Sequence, residues 1–243
     1  MTITIGGGIT VEAGVGVSST GSSPLTNQVL SLDAGNPASY PGTGTTWTDT
    51  VGSMAFTLVN GPTYNSANGG YIQFTPGSGQ YARSYSTLGT LAAWSIEAWH
   101  YYDGTNTSSG PNIFTEYQYA GGTINLGLGS GGGSETSLQA WWYGAGFHAT
   151  NSGYSLTPGA WYQIVGTFDG TTLNLYVNNT LFQTATEPPG GAANPAIGYG
   201  LMTRWDPGGF WGGRLAIVNV YDSALTDVEI AQNFNYYKSR FGL

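Results

Sequence analysis

Residues Trp161 to Phe182, reading WYQIVGTFDGTTLNLYVNNTLF, leave this chain few folds to choose from. Tyr162, Ile164 and Phe168 fall on one side of a period-two pattern, with Gln163 and Thr167 on the other. Asp169-Gly170 supplies a tight turn, because glycine takes a positive φ at no steric cost. The return strand sets Leu173, Leu175 and Val177 inward, and Thr172, Asn174 and Tyr176 outward. Asn178-Asn179 makes a second turn, and Thr180-Leu181-Phe182 opens a third strand. The expectation is a β-meander that buries one face and wets the other, as antiparallel sheets do.

Composition carries that expectation along the chain. Glycine (40 residues) feeds turns, while 17 Tyr, 9 Phe and 8 Trp suit half-buried pleated surfaces. Charged residues are only 7%, too few for long solvated helices. A length of 243 residues fits one large all-β domain with a tail. The formal net charge is -8, and the 5 Lys+Arg do not cluster, which argues against nucleic acid and anionic membranes as partners. The absence of cysteine excludes disulfide frameworks and thiolate zinc sites. No apolar run reaches the length of a membrane span. Residues 1–24 carry neither a basic n-region nor an apolar h-region, so a signal peptide is not expected.

Those first 24 residues differ from the rest. Ile3, Ile5, Ile9 and Val11 alternate with small polar residues and glycines, and the stretch ends rich in Ser and Gly. It has no large side chains for a core of its own. Residues 1–24 read either as a disordered leader or as an extended arm that docks by adding strands to a partner or sister subunit, with those four residues as contacts, and the arm is the reading carried forward. Residues 25–243 form the domain. Its expected strands are Asn27–Leu32, Phe56–Leu58, Tyr71–Phe74, Ala92–Tyr102, Asn112–Tyr117, Thr123–Leu128, Ser137–Tyr143, Asn194–Tyr199 and Arg214–Tyr221. Trp47 is expected as a plug under the long loop that follows the first of them. A capping box at Thr226 and Glu229 opens one helix, expected over Asp227–Tyr237, with Lys238 and Arg240 at its dipole's negative end.

The segments WSIEAWHYY (94–102), WYQIVGTFDGTTLNLYVNNTLF and GGRLAIVNVYDSALTDVEIAQ (212–232), in this order, resemble the laminin G-like and concanavalin A-like domains. The resemblance covers about Asn27 to Tyr237 and implies an all-β fold, a two-sheet antiparallel jelly-roll sandwich. Asn179 departs from the family's glycine in the second turn. The opening TITIGGGIT and the loop LSLDAGNPASYPGTGTTWTDT (30–50) resemble structural proteins of tailed bacteriophages. That second resemblance implies a virion setting, at the particle surface.

Chemistry narrows the function. A glycosidase needs two carboxylates flanking its bond, roughly 5–9 Å apart. Glu97, Glu116 and Glu135 each stand alone in the sequence, His100 and His148 are the only histidines, and no serine sits in a G-x-S-x-G turn. We therefore expect no catalysis. Gly127 to Gly132 matches G-x-G-x-x-G, but no helix pattern follows it, so it is not a dinucleotide loop. No cofactor is required. Calcium-binding relatives direct attention to the loop acids Asp33, Asp49, Asp103 and Asp206, which would have to converge from separate loops. Otherwise they serve their own turns. An exposed aromatic beside a polar group can stack on a sugar. Candidates are Trp142, Tyr143, Phe147 and His148 in one glycine-rich region, and Trp205, Asp206 and Trp211 in another. The alternative is that these rings fill the core or a subunit interface. The sequence thus points to a virion structural protein, a capsid decoration or fibre subunit, oligomeric with copies of itself and displaying a domain for host glycans. A free carbohydrate-binding lectin-like module is the alternative, with a glycoside hydrolase behind it.

Overall fold

The turn chemistry sets the frame. Asn178 and Asn179 adopt φ of 48° and 59°, the left-handed pair of a tight hairpin turn, which asparagine tolerates in place of glycine. At the other turn the Asp169 carboxylate accepts the N–H groups of Thr171 (2.8 Å) and Thr172 (2.6 Å), and Gly170 takes a φ of 99°. A computed structural model describes residues 3–5, 9–11, 24–107, 110–117, 126–130, 137–143, 147–150, 154–186, 197–204, 206 and 208–243.

The elements run in order as follows. The opening segment gives β1 (Ile3–Ile5) and β2 (Ile9–Val11). Next come β3 (Gln28–Asp33), β4 (Thr46–Thr48), β5 (Ala55–Val59), β6 (Thr63–Asn65), β7 (Tyr71–Phe74) and β8 (Tyr81–Ser84). The central stretch holds β9 (Trp94–Tyr102), β10 (Asn106–Thr107), β11 (Asn112–Glu116) and β12 (Leu126–Ser130). It continues through β13 (Ser137–Tyr143), β14 (Phe147–Ala149) and β15 (Tyr154–Ser155). The meander is β16 (Ala160–Phe168), β17 (Thr172–Val177) and β18 (Thr180–Thr186). The chain closes with β19 (Tyr199–Thr203), β20 (Phe210–Trp211), β21 (Gly213–Tyr221) and α1 (Asp227–Phe241).

Two antiparallel sheets face one another. The first has the order β18-β17-β16-β9-β21-β7-β6, with β3 on β21 beyond the end of β7. The second has the order β14-β13-β12-β11-β19-β8-β5-β4. Ile164, Leu173 and Leu175 from the first sheet share one core with Leu128, Leu138, Ala140 and Leu201 from the second. Trp47 is buried in the same core, as expected. Among the described residues β1 and β2 pair with each other and with no other strand, Ile3 opposite Val11 and Ile5 opposite Ile9.

Three expectations need correction. First, the outer face of β16 is dry. Trp99 and Trp161 pack under Phe241, each at a ring-centroid distance of 4.6 Å, and Val165, Tyr176 and Tyr221 pack with Leu225 and Ile230. The helix covers the face that period-two reasoning leaves to water. Second, α1 continues past Tyr237 to Phe241 and closes on Gly242, with a φ of 75°. Arg240 does more there than oppose a dipole: it makes two bonds to the Asp33 carboxylate, at 2.9 and 3.0 Å, and donates to the carbonyls of Asn68 and Gly70. Third, β12 and β19 run on to Ser130 and Thr203, past the expected ends at Leu128 and Tyr199, because Gly129 and Gly200 lie within strands and not in turns. The capping box forms as read, with Thr226 N–H donating to Glu229 Oε2 at 2.8 Å and Glu229 N–H to Thr226 Oγ1 at 3.4 Å.

Candidate functional site: the outer face of the second sheet

Strand register divides the second sheet into two faces. Ala140, Leu128, Phe114, Leu201, Ala82 and Leu58 lie in one row across it and belong to the core. The next row, facing away from the core, pairs Trp141 with Gly127, Thr115 with both Gly127 and Gly200, and Gly200 with Arg83. It ends on Thr57 and Thr46, both exposed. A parallel outward row carries Gln139, Gly129, Asn112 and Thr203.

Glycines make room on this face for large side chains to lie flat. A Cβ at Gly127 would stand 2.0 Å from Trp141 Cζ2, so the indole rests on bare backbone. Trp141 Nε1 donates to Asn112 Oδ1 at 3.2 Å. At Gly200 a Cβ would stand 2.9 Å from Tyr117 Cζ, 3.0 Å from its hydroxyl and 2.7 Å from Thr203 Cγ2. Tyr117 and Thr203 therefore meet over that glycine. Tyr117 is 6% exposed and Thr203 0%, and neither hydroxyl has a hydrogen-bond partner among the described residues. Burial, with Tyr81 and Tyr85 nearby, pushes the Tyr117 hydroxyl far above its ordinary range, against the pull of Arg83. It stays protonated and able to donate. Beside it the Arg83 guanidinium lies 4.9 Å from the ring centre of Tyr85, which is 66% exposed.

Trp211 is 0% exposed, with its ring edge-on to His100 and Tyr102 at 5.9 and 6.3 Å, so it is a core residue and no sugar platform. Asp206 is bound by the Arg204 guanidinium, whose Nη2 donates to it at 2.9 Å. Trp205 lies outside the described residues. Trp142, Tyr143, Phe147 and His148 lie on the β13–β14 hairpin, Trp142 in register with His148 and Tyr143 with Phe147, and their side chains are likewise outside the described part. Of the adjacent tryptophans, Trp141 is the one on the outward row. The signal for it is in the sequence: Gly127 and Gly129 alternate on β12 opposite Trp141 and Gln139, small against large. Tyr85 and Arg83 carried no such signal, since a lone tyrosine after a short strand is ordinary.

The loop acids are occupied. Asp49 accepts the N–H groups of Ser31, Val51 and Gly52, Asp103 that of Thr105, and Asp33 holds Arg240. Among the described residues no three His, Asp or Glu side chains gather to hold a metal ion. Glu97 is 0% exposed and lies on the first sheet beneath α1. It accepts from Trp99 Nε1 (3.0 Å), Gln163 Nε2 (2.8 Å), Asn219 Nδ2 (3.3 Å) and Asn233 Nδ2 (2.7 Å). Burial pushes its carboxyl up from the ordinary range, while these N–H donors pull it back. Asn233 Oδ1 in turn accepts the backbone N–H of Leu25, three residues before β3. Glu116 pairs in register with the core residue Tyr199, on the opposite face of the second sheet from the site. No Asp or Glu occupies an outward position in the described strands of the second sheet.

Residues 67–231 match the protein-family model Laminin_G_3, described as the concanavalin A-like lectin/glucanases superfamily. The chain belongs to this superfamily. Among solved structures, it is similar to domain 4 of AbnA, a GH43 extracellular arabinanase from Geobacillus stearothermophilus, in complex with arabinotriose. The TM-score is 0.66 at 16% identity, over 85% of this chain and 98% of that one. It is also similar to the binding domain of botulinum neurotoxin DC in complex with SialylT, with a TM-score of 0.63, 13% identity and coverage of 87% and 51%. Trypanosoma rangeli sialidase in complex with sialic acid gives a TM-score of 0.64, 14% identity and coverage of 89% and 34%. The chain thus spans about half of the toxin domain and a third of the sialidase. A search of curated proteins finds no match. As a superfamily fold, the lectin/glucanase sandwich houses binding domains and enzymes alike, so function rests on the site.

Proposed function

We propose that this protein is a non-enzymatic virion structural protein, a capsid decoration or fibre subunit, whose superfamily domain binds host glycans through the outer face of the second sheet. The carrying observation is the exposed ring of Tyr85 beside Arg83 and the unpartnered hydroxyls of Tyr117 and Thr203. An aromatic ring offers a sugar its stacking surface, and fixed polar atoms set its orientation. The arabinotriose and SialylT complexes of similar folds support the reading at the level of ligand class. The lack of outward carboxylates among the described strands supports binding without hydrolysis. Metal is not required for it.

A glycan array followed by titration of the hits tests the surface: Tyr85→Ala should weaken binding at least tenfold, about 1.4 kcal/mol. No binding to any glycan would remove the lectin reading. The virion role rests on the resemblance of residues 2–10 and 30–50 and on the strand-forming alternation of Ile3, Ile5, Ile9 and Val11. Deleting residues 1–24 should leave the domain folded and its glycan binding intact, yet abolish incorporation into particles and association with sister subunits. A free lectin would be indifferent to that deletion.

A further inference from the structure

We propose that Arg83, with the hydroxyls of Tyr117 and Thr203, forms a subsite for the carboxylate of an acidic sugar on the outer face of the second sheet. The inference rests on the glycan-binding reading and names the ligand class. Arg83 is the starting point. In a chain with 13 Asp+Glu and 5 Lys+Arg, an arginine should find a carboxylate easily. Arg204 has Asp206, Arg240 has Asp33, and Arg214 is held between the rings of Tyr71 and Tyr101 at 4.9 and 4.2 Å. Among the described residues Arg83 lies over the ring of Tyr85 and has no carboxylate within ion-pair distance. Its row of the sheet also carries no acid: its register partners are Gly200 on one side and Thr57 on the other.

The second observation is independent of that charge. Tyr117 and Thr203 converge over Gly200, the residue directly opposite Arg83, and both leave a buried hydroxyl without a partner. Buried polar atoms are nearly always paired in folded proteins, so two unpaired hydroxyls on side chains that share one glycine, Tyr117 lying against it by its hydroxyl and Thr203 by its Cγ2 methyl, point to oxygen atoms from elsewhere. Guanidinium N–H groups form a planar fork that matches a carboxylate, and the two hydroxyls can donate to it or to the neighbouring sugar oxygens. Tyr85 beside the fork gives the pyranose ring its apolar contact. The protein's overall charge of -8 repels anions at long range, so selectivity for an acidic sugar has to come from contacts at this place.

The test is titration calorimetry of the full chain with matched pairs: tetragalacturonate against galactotetraose, and 3′-sialyllactose against lactose. One acidic member should bind about tenfold tighter than its neutral partner at low salt, with the gap narrowing at high salt. Which pair shows the gap separates a uronate chain from a terminal sialic acid. Arg83→Gln should erase the difference within the pair. Arg83→Lys should keep part of it, and carries the test if the glutamine variant does not fold. Tyr117→Phe should weaken the acidic ligand. Equal binding within both pairs, or an acid preference that survives Arg83→Gln, overturns the subsite and leaves glycan binding standing. Failure of all four sugars to bind, with no hit on a glycan array, overturns both.

Discussion

The Glu97 carboxylate accepts the side-chain N–H of Asn233 at 2.7 Å, joining the middle strand of the first sheet to the C-terminal helix. Every other near contact of that carboxylate is also a donor, including the Tyr221 hydroxyl at 3.5 Å. The geometry fits an ionised group. Glu97→Gln would turn one acceptor oxygen into a donor aimed at donors. The expected loss is about 3 kcal/mol in urea unfolding, as for a buried polar network left with unpaired members. A variant as stable as the wild type would mean that Glu97 is protonated in the fold.

His100 makes the fold acid-sensitive. Burial lowers its pKa from 6.5 to about 4, and Nδ1 lies 3.1 Å from the Arg214 carbonyl. The unfolded chain therefore binds the proton first, and stability should fall as pH drops from about 6.5 towards 4, by roughly 2–3 kcal/mol. Glu97, raised by burial, contributes in the opposite sense, its share being lost as pH rises. Comparing wild type with His100→Gln isolates the histidine: the variant's unfolding free energy should change less between pH 7 and 4.5. Parallel profiles would rule out His100 as the cause.

The meander, the capping box and the family were legible because each rests on local chemistry: alternating apolar residues, turn asparagines, and Thr226 three residues before Glu229. The dry outer face of β16 was not legible. Whether Gln163 and Thr167 meet water depends on α1, some sixty residues further on, and period-two alternation carries no information about what covers a face. The site suffered from the same limit. Trp211 looks like any loop tryptophan until its strand pairs with β10 and β19 and turns it inward. Arg83 lies on β8, Thr203 on β19 and Tyr117 just past the end of β11, and only register brings them to one glycine.

Gly127→Ala tests the flat indole. Its methyl group would overlap Trp141, so the ring must leave the sheet and release Asn112. The expected cost is about 2 kcal/mol, with a shift of the Trp141 indole N–H resonance in NMR spectra. An unchanged resonance would contradict the packing described.

Thr226→Ala removes the acceptor for Glu229 N–H and should lower stability by about 1 kcal/mol in thermal or urea unfolding. Because Leu225 and Ile230 pack against Tyr221, the loss should register in global unfolding and not only in fraying of the helix.

Chelation followed by return of calcium should leave the melting temperature unchanged, since Asp33, Asp49, Asp103 and Asp206 are each engaged by N–H groups of the chain. A calcium-dependent rise would require a site among other residues.

The bond from Leu25 N–H to Asn233 Oδ1, at 3.0 Å, gives the molecule a mechanical order of failure. Tension applied through residues 1–24 enters the domain at Leu25 and reaches α1 through Asn233 before it loads β3. The asparagine is the same one that grips Glu97, so a pull on the arm strains the helix's anchor while the hydrogen-bonded ladder of β3 on β21 lies further along the line of force. A particle hung by that arm would yield first at the helix and keep its sandwich, and any surface on the second sheet, whole.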